Sequence, residues 1–282
     1  MEIIRDKMKK IILVKILLIS LMVFSQMVSA ATSSNATLPN VTSLGNEADP
    51  SSLPTRLLFV GNSYMYYNDS LHNHVKRIVS ELHPDLSDSI KYKSSTIGGA
   101  RLKHHNINWL LNHKKIGVRQ PFEVVIMQGG SKEVLLYKDQ QTYKKTVRAY
   151  SKMISKTGAK TFLYMTPAYV APHALTKPGM IDVISDATVA AAKSANIAVI
   201  PVGIAFDEAY RLRPEIKLHK DFDGSHPTLK GTYLAACVVY LSVYGGSLDT
   251  LTYNYFGGIT PEDARFLRQV ATDVSLKFSK EK

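Results

Sequence analysis

From residue 56 onward the chain alternates between short apolar runs and longer segments whose apolar residues recur at helical spacing. Arg56–Val60, Ile90–Ser95, Phe122–Met127, Thr161–Met165 and Ile197–Val202 read as strands by length and side-chain type. Asp69–His83 reads as an amphipathic helix, with Leu71, Val75, Ile78, Val79 and Leu82 on one face. Leu102–Asn112, Gln141–Lys156, Gly179–Ser194, Thr228–Val243 and Pro261–Phe278 are the other expected helices. Gly245-Gly246 closes the fifth of these six, and Pro-Glu-Asp opens the last. Parallel neighbours need a crossover helix, and a strand apolar throughout must be covered on both faces. Five strands alternating with helices therefore predict a three-layer α/β/α domain around a mainly parallel five-stranded sheet. Ligands bind such sheets outside the carboxyl ends of the strands, so functional residues are expected after Val60, Ser95, Met127, Met165 and Val202.

Ahead of this domain lie two segments of different character. Three lysines between Met8 and Lys15 lead into an apolar run to Val28, which ends in Val28-Ser29-Ala30. This pattern predicts a secretory signal peptide over residues 1–30, cleaved after Ala30. The alternative is an uncleaved anchor, because the apolar run is near the length that spans a bilayer; the small residues favour cleavage. No cysteine directly follows the cleavage point, so lipid modification there is not expected. The expected location is secreted or periplasmic, with membrane contact only through the signal segment. Residues 31–54 are rich in Ser, Thr, Asn and Pro and read as a flexible linker, which leaves 55–282 as the folded domain. Glycosylation sequons stand at Asn35, Asn40 and Asn68.

Cys237 is the only cysteine, so no intrachain disulfide can form, and its apolar surroundings predict a buried small hydrophobe. The net charge is +12; the first 30 residues hold five basic and two acidic side chains, which leaves +9 on the remainder. A basic exported protein suits anionic surfaces such as cell-wall polymers. The basic residues are dispersed and carry no nucleic-acid-binding signature, so nucleic acid is not an expected partner.

The first strand runs into Gly61-Asn62-Ser63. A serine hydroxyl is a weak nucleophile until a base removes its proton, and a histidine base needs an acid to orient it. Asp223-Gly224-Ser225-His226-Pro227 offers such a pair: an Asp three residues before a His, on a turn, can reach Nδ1 and leave Nε2 free. Gly61-Asn62-Ser63-Tyr64-Met65 lacks the second glycine of the Gly-x-Ser-x-Gly elbow, which argues against the ordinary α/β-hydrolase fold. Taken singly, Ser63 reads as a helix cap, Gly98-Gly99 as a tight turn and Gln128 as a polar strand end. Asp221, Asp223 and His226 could instead ligate a metal, but no further metal-binding motif accompanies them.

Taken in order, "FVGNSY", "IGGARL" and "DGSHPTLKGTYLAA" resemble the SGNH (GDSL-type) hydrolase superfamily, most closely its branch with Gly-Asn-Ser in the first block. The resemblance covers nearly all of the chain after the linker. It implies a flavodoxin-like sheet, Ser63 as nucleophile, His226 as general base and Asp223 as its orienting acid. It also implies an oxyanion hole from the N–H groups of Ser63 and Gly99. The family's third block adds an asparagine side chain, whereas this chain reads Met127-Gln128-Gly129-Gly130-Ser131, so Gln128 is the candidate third donor.

The resulting expectation is an exported serine ester hydrolase acting through an acyl-enzyme on an O-acyl ester, such as an acetyl ester of a carbohydrate or a similar small molecule. It needs no metal and no organic cofactor. The alternatives are a non-catalytic glycan-binding protein on the same fold and an O-acyltransferase. Tyr64 and His104 are candidate substrate-binding residues; Tyr66, Tyr67 and His105 could line the same crevice or pack against it. His72, His74, His113, His173 and His219 read as surface residues.

Overall fold

The structure is a computed structural model and describes residues 53–280. The expected signal peptide and all but the last two residues of the expected linker lie outside the described residues. Those two are packed: Leu53 is buried in the core, and the Pro54 carbonyl accepts the Tyr244 hydroxyl at 2.8 Å.

Five strands form the sheet: β1 (Leu57–Gly61), β2 (Lys93–Thr96), β3 (Val124–Gln128), β4 (Lys160–Tyr164) and β5 (Ala198–Ile200). Their order is β2-β1-β3-β4-β5, and every neighbouring pair is parallel. The helices are α1 (Ser63–Tyr66), α2 (Leu71–Leu82), α3 (Ile107–Leu111), α4 (Tyr137–Ser155), α5 (Met180–Ala195), α6 (Val202–Leu212), α7 (Leu229–Tyr244) and α8 (Pro261–Lys280). This is the expected three-layer α/β/α architecture.

Side-chain alternation along each strand divides the core in two. Leu57, Phe59, Val124 and Ile126 face α2, α6, α7 and α8, while Leu58, Val60, Val125 and Met127 face α3, α4 and α5. Helix α7 lies between α2 and α8 and is buried nearly all round, including Cys237. That explains its lack of a polar stripe. No helix among the described residues is long and apolar enough to cross a membrane.

Several boundaries differ from the sequence expectation. The last expected strand stops at Ile200 instead of continuing to Val202. Pro201 has no N–H for the ladder, and α6, which the sequence did not predict, begins at once. The expected Leu102–Asn112 helix divides into a 3-10 turn at Leu102–His104 and α3, because the Asn106 side chain caps a new start by accepting the Trp109 N–H.

His74 and His219, expected at the surface, are buried. The His74 ring bonds the Asn68 carbonyl and the Tyr253 hydroxyl and stacks on Tyr255. The His219 Nδ1 pairs with the Tyr210 hydroxyl at 2.8 Å. Burial lowers the His219 pKa to about 4, against a smaller upward pull from Asp223.

Unfolding returns the His219 ring to its ordinary value near 6.5. Between those two values the unfolded state holds more protons, so stability falls as pH falls through that window, by up to about 1.4 kcal/mol per pH unit. Burial lowers His72, His74 and His105 in the same sense. Urea unfolding at pH 7 and pH 5 should show a smaller acid loss in His219→Gln than in the wild type. Equal losses would remove His219 as a cause.

Candidate active site

The order β2-β1-β3 places the loops after these three strands side by side at their carboxyl ends, where the chain's winding reverses. The loop after β1 is the shortest. Asn62 is extended and its side-chain oxygen accepts the Tyr64 N–H at 3.1 Å, which turns the chain directly into α1. Ser63 is therefore the first helical residue, 6% exposed.

The base comes from the other end of the chain. Its loop is closed by backbone bonds between Lys220 N–H and the His226 carbonyl (2.7 Å) and between Thr228 N–H and the Leu218 carbonyl (2.8 Å). Gly224 lies at φ +60°, and an added Cβ would collide with the Val170 carbonyl, so only glycine fits this turn. Within the loop, Asp223 Oδ1 accepts the N–H groups of Ser225 (2.9 Å) and His226 (3.0 Å). Its Oδ2 pairs with His226 Nδ1. Partial burial would raise the Asp223 carboxyl, but these three hydrogen bonds outweigh it and hold the pKa below the usual value. His226 Nε2 lies 2.8 Å from Ser63 Oγ. The structure thus brings Ser63, His226 and Asp223 into one hydrogen-bonded line, an arrangement that can pass the serine proton to the imidazole.

Two tyrosines, Tyr64 within α1 and Tyr67 at its end, hold the imidazole. The Tyr67 ring stacks on His226 at 4.5 Å between centroids, and the buried Tyr64 hydroxyl meets Ser225 Oγ at 2.7 Å. Burial pushes the Tyr64 phenol well above its usual value, so it stays protonated. Tyr66 is exposed and stacks on Tyr67. Of the two roles expected for these tyrosines, packing and lining the crevice, Tyr64 and Tyr67 take packing. A usable signal was present: Tyr67 follows Ser63 by four residues, about one helical turn, and so lies over the same face. Asn68, the third sequon, donates to the Pro227 carbonyl (2.9 Å) and to Thr232 Oγ1 (2.8 Å), which ties α1 to the base loop.

Gly99 sits in the loop after β2 at φ +65°, with open space where a Cβ would project. Neither its N–H nor that of Ser63 bonds to an acceptor among the described residues. Gln128 does not fulfil the expectation of a third donor. It is 1% exposed, its carbonyl oxygen accepts the Asn62 N–H at 2.9 Å, and its amide nitrogen donates to the Gly129 carbonyl. Its side chain joins the strand ends together rather than serving the crevice.

His104 is exposed, and its Nδ1 accepts the Arg101 N–H at 3.2 Å, which caps its own turn. His105 is buried beneath that loop. Asp221 pairs with Lys217 at 2.7 Å at the surface, and no group of three metal-ligating side chains converges among the described residues.

No protein-family model matches the chain. No curated protein matches it significantly. Solved structures do. A DUF4886 family protein from Bacteroides uniformis superposes with a TM-score of 0.62 at 19% identity, covering 79% of this chain and 95% of its own. A protein assigned to the SGNH hydrolases from Slackia heliotrinireducens gives 0.52 at 24% identity, over 67% and 98%. An acetyl xylan esterase from Geobacillus stearothermophilus gives 0.53 at 16% identity, over 68% and 96%. At such identities the likeness establishes the fold: this chain has the SGNH-hydrolase fold.

The local geometry explains why the first block carries asparagine. Asn62 Nδ2 donates to the carbonyls of Ala100 (3.2 Å) and Gly129 (3.4 Å), in the loops after β2 and β3. An aspartate would set a carboxylate oxygen against both carbonyls. Asn62→Asp should therefore lower the unfolding free energy by roughly 2–4 kcal/mol at pH 7, read by urea denaturation. A variant as stable as the wild type would show that these bonds carry little.

Proposed function

We propose that this chain is an exported serine hydrolase that cleaves O-acyl esters, with short acyl groups on carbohydrates as the preferred substrate class. The observation that carries this reading is the 2.8 Å contact between Ser63 Oγ and His226 Nε2, with Asp223 on the far side of the ring. A glycan-binding protein has no need of that alignment, which favours the enzyme over the non-catalytic alternative. Preference for a carbohydrate acetyl ester draws on the signal-like N-terminus and on structural neighbours described as acetyl xylan esterases.

In this mechanism Ser63 Oγ attacks the ester carbonyl carbon while His226 Nε2 takes its proton. The tetrahedral oxyanion faces the N–H groups of Ser63 and Gly99, which have no competing acceptor among the described residues. Collapse breaks the bond to the alcohol, and His226 returns the proton to the departing oxygen. A water molecule, deprotonated by the same imidazole, releases the acid and restores Ser63. Asp223 keeps the ring in the tautomer with Nε2 free to accept, and stabilises the imidazolium. Each step is proton transfer and acyl transfer by side chains present in the site.

The test is hydrolysis of p-nitrophenyl acetate together with labelling by a fluorophosphonate. The wild type should turn over and label. Ser63→Ala should lose labelling, and its kcat should fall by about three or more powers of ten. A folded wild type with neither turnover nor Ser63-dependent labelling would sink the proposal. Acetylated xylooligosaccharide as a second substrate tests the carbohydrate preference, and acetate release without an added acceptor separates the hydrolase from an acyltransferase.

A further inference from the structure

Gly99 occupies a loop held by the burial of Ala100 and Leu102 and by a small set of polar ties. The Ile97 N–H bonds the Gly61 carbonyl at 3.1 Å, and the Ala100 carbonyl accepts from Asn62, so two anchors lead back to the loop after β1. The third anchor is Leu102, whose N–H donates to Glu133 Oε2 at 2.9 Å. The same oxygen accepts the Gly130 N–H at 2.6 Å. Glu133 thus joins the loop after β2 to the loop after β3 through one atom. It is 1% exposed, and the serine-hydrolase reading gives it no role. An outer tie, the two-pronged Arg101–Asp139 pair at 2.6 and 3.1 Å, is partly solvated.

A buried carboxyl group is a costly choice for a brace. Burial raises the Glu133 pKa, partly offset by its two backbone donors. Its Oε1 is buried and has no partner among the described residues. A proton on Oε1 would leave Oε2 as a carbonyl oxygen able to accept both N–H groups. A glutamine can present the same acceptor in the same place; a leucine cannot.

We propose that Glu133 is a positioning residue, which holds the Gly99 N–H in register with the Ser63 N–H by tying the loop after β2 to the loop after β3. The proposal rests on the serine-hydrolase reading of the site. Oxyanion donors act only when aimed at the developing charge, and displacements near 1 Å cost about a hundredfold in rate. Removing the brace therefore acts on the chemical step rather than on substrate binding.

Three variants test this. Glu133→Gln keeps the acceptor, and Glu133→Leu removes it. Gly130→Ala keeps the Glu133 carboxyl but crowds the junction, because its Cβ would stand 3.2 Å from the Ala100 carbonyl and 3.4 Å from Glu133 Oε2, so these neighbours must give way by a few tenths of an ångström. With p-nitrophenyl acetate, Glu133→Leu should lose about ten- to a hundredfold in kcat with KM nearly unchanged. Gly130→Ala should lose kcat in the same direction by a smaller factor, and Glu133→Gln should stay within about threefold of the wild type. Folded Glu133→Leu and Gly130→Ala proteins with wild-type kcat would overturn the proposal. So would a Glu133→Gln loss equal to that of leucine. If Glu133→Leu does not fold, Gly130→Ala decides.

The NMR amide signals of Gly99 and Leu102 give a readout that needs no turnover. They should shift in Glu133→Leu and Gly130→Ala and stay in place in Glu133→Gln. An inactive, unlabelled wild type would refute the hydrolase reading alone; the amide signals would still uphold or overturn the positioning claim.

Discussion

The side chain of Asn62 holds the site together. Its oxygen caps α1, and its nitrogen reaches the carbonyls of Ala100 and Gly129, one on each flanking loop. Its own N–H donates to Gln128 at the end of β3. One buried amide therefore fixes the start of the helix that carries Ser63 and sets its distance from the loops after β2 and β3. A net hydrogen bond is worth only about 1 kcal/mol, but a buried polar group left unpaired costs more. The network is consequently held by what its loss would leave unsatisfied.

Parallel strand order is what makes this network possible. The loops after β2, β1 and β3 emerge side by side at the carboxyl ends of the strands, within reach of a single side chain. The base arrives differently. Its loop is far away in sequence and is closed on itself by backbone hydrogen bonds, with α7 beginning two residues after Pro227. It then meets α1 through Tyr64–Ser225 and the Tyr67–His226 stack. The residues that follow Ser63 on its own helical turn thus help to place the imidazole 2.8 Å away. Asn68, Asp69 and Ser70 continue from this turn with φ between 54° and 69°, an unfavourable run for residues with a Cβ. The Asn68 bonds to Pro227 and Thr232 help to hold it in that shape.

Gln128 shows why residue type can mislead. A glutamine at a strand end beside the expected crevice has the right functional group for an oxyanion donor. Direction decides otherwise: Gln128 ends β3 with its amide turned onto the backbone of Asn62 and Gly129. His74 and His219 teach the same lesson about burial. Both are polar in a linear reading, and both are taken inside the fold beside a tyrosine hydroxyl, Tyr253 from far along the chain for His74 and Tyr210 from the preceding helix for His219.

The sequence by itself determined the layered fold and the order of its elements, because apolar periodicity and crossover length leave few other arrangements for five such strands. It also pointed to Ser63, Asp223 and His226, since each stands at a turn after a legible pattern. Only the tertiary structure decided which polar side chains face the crevice and which hold the loops together. It added α6 after Pro201, turned Gln128 inward and set Glu133 between two loops. Such outcomes depend on contacts between segments tens of residues apart, and local spacing carries no information about where those segments meet.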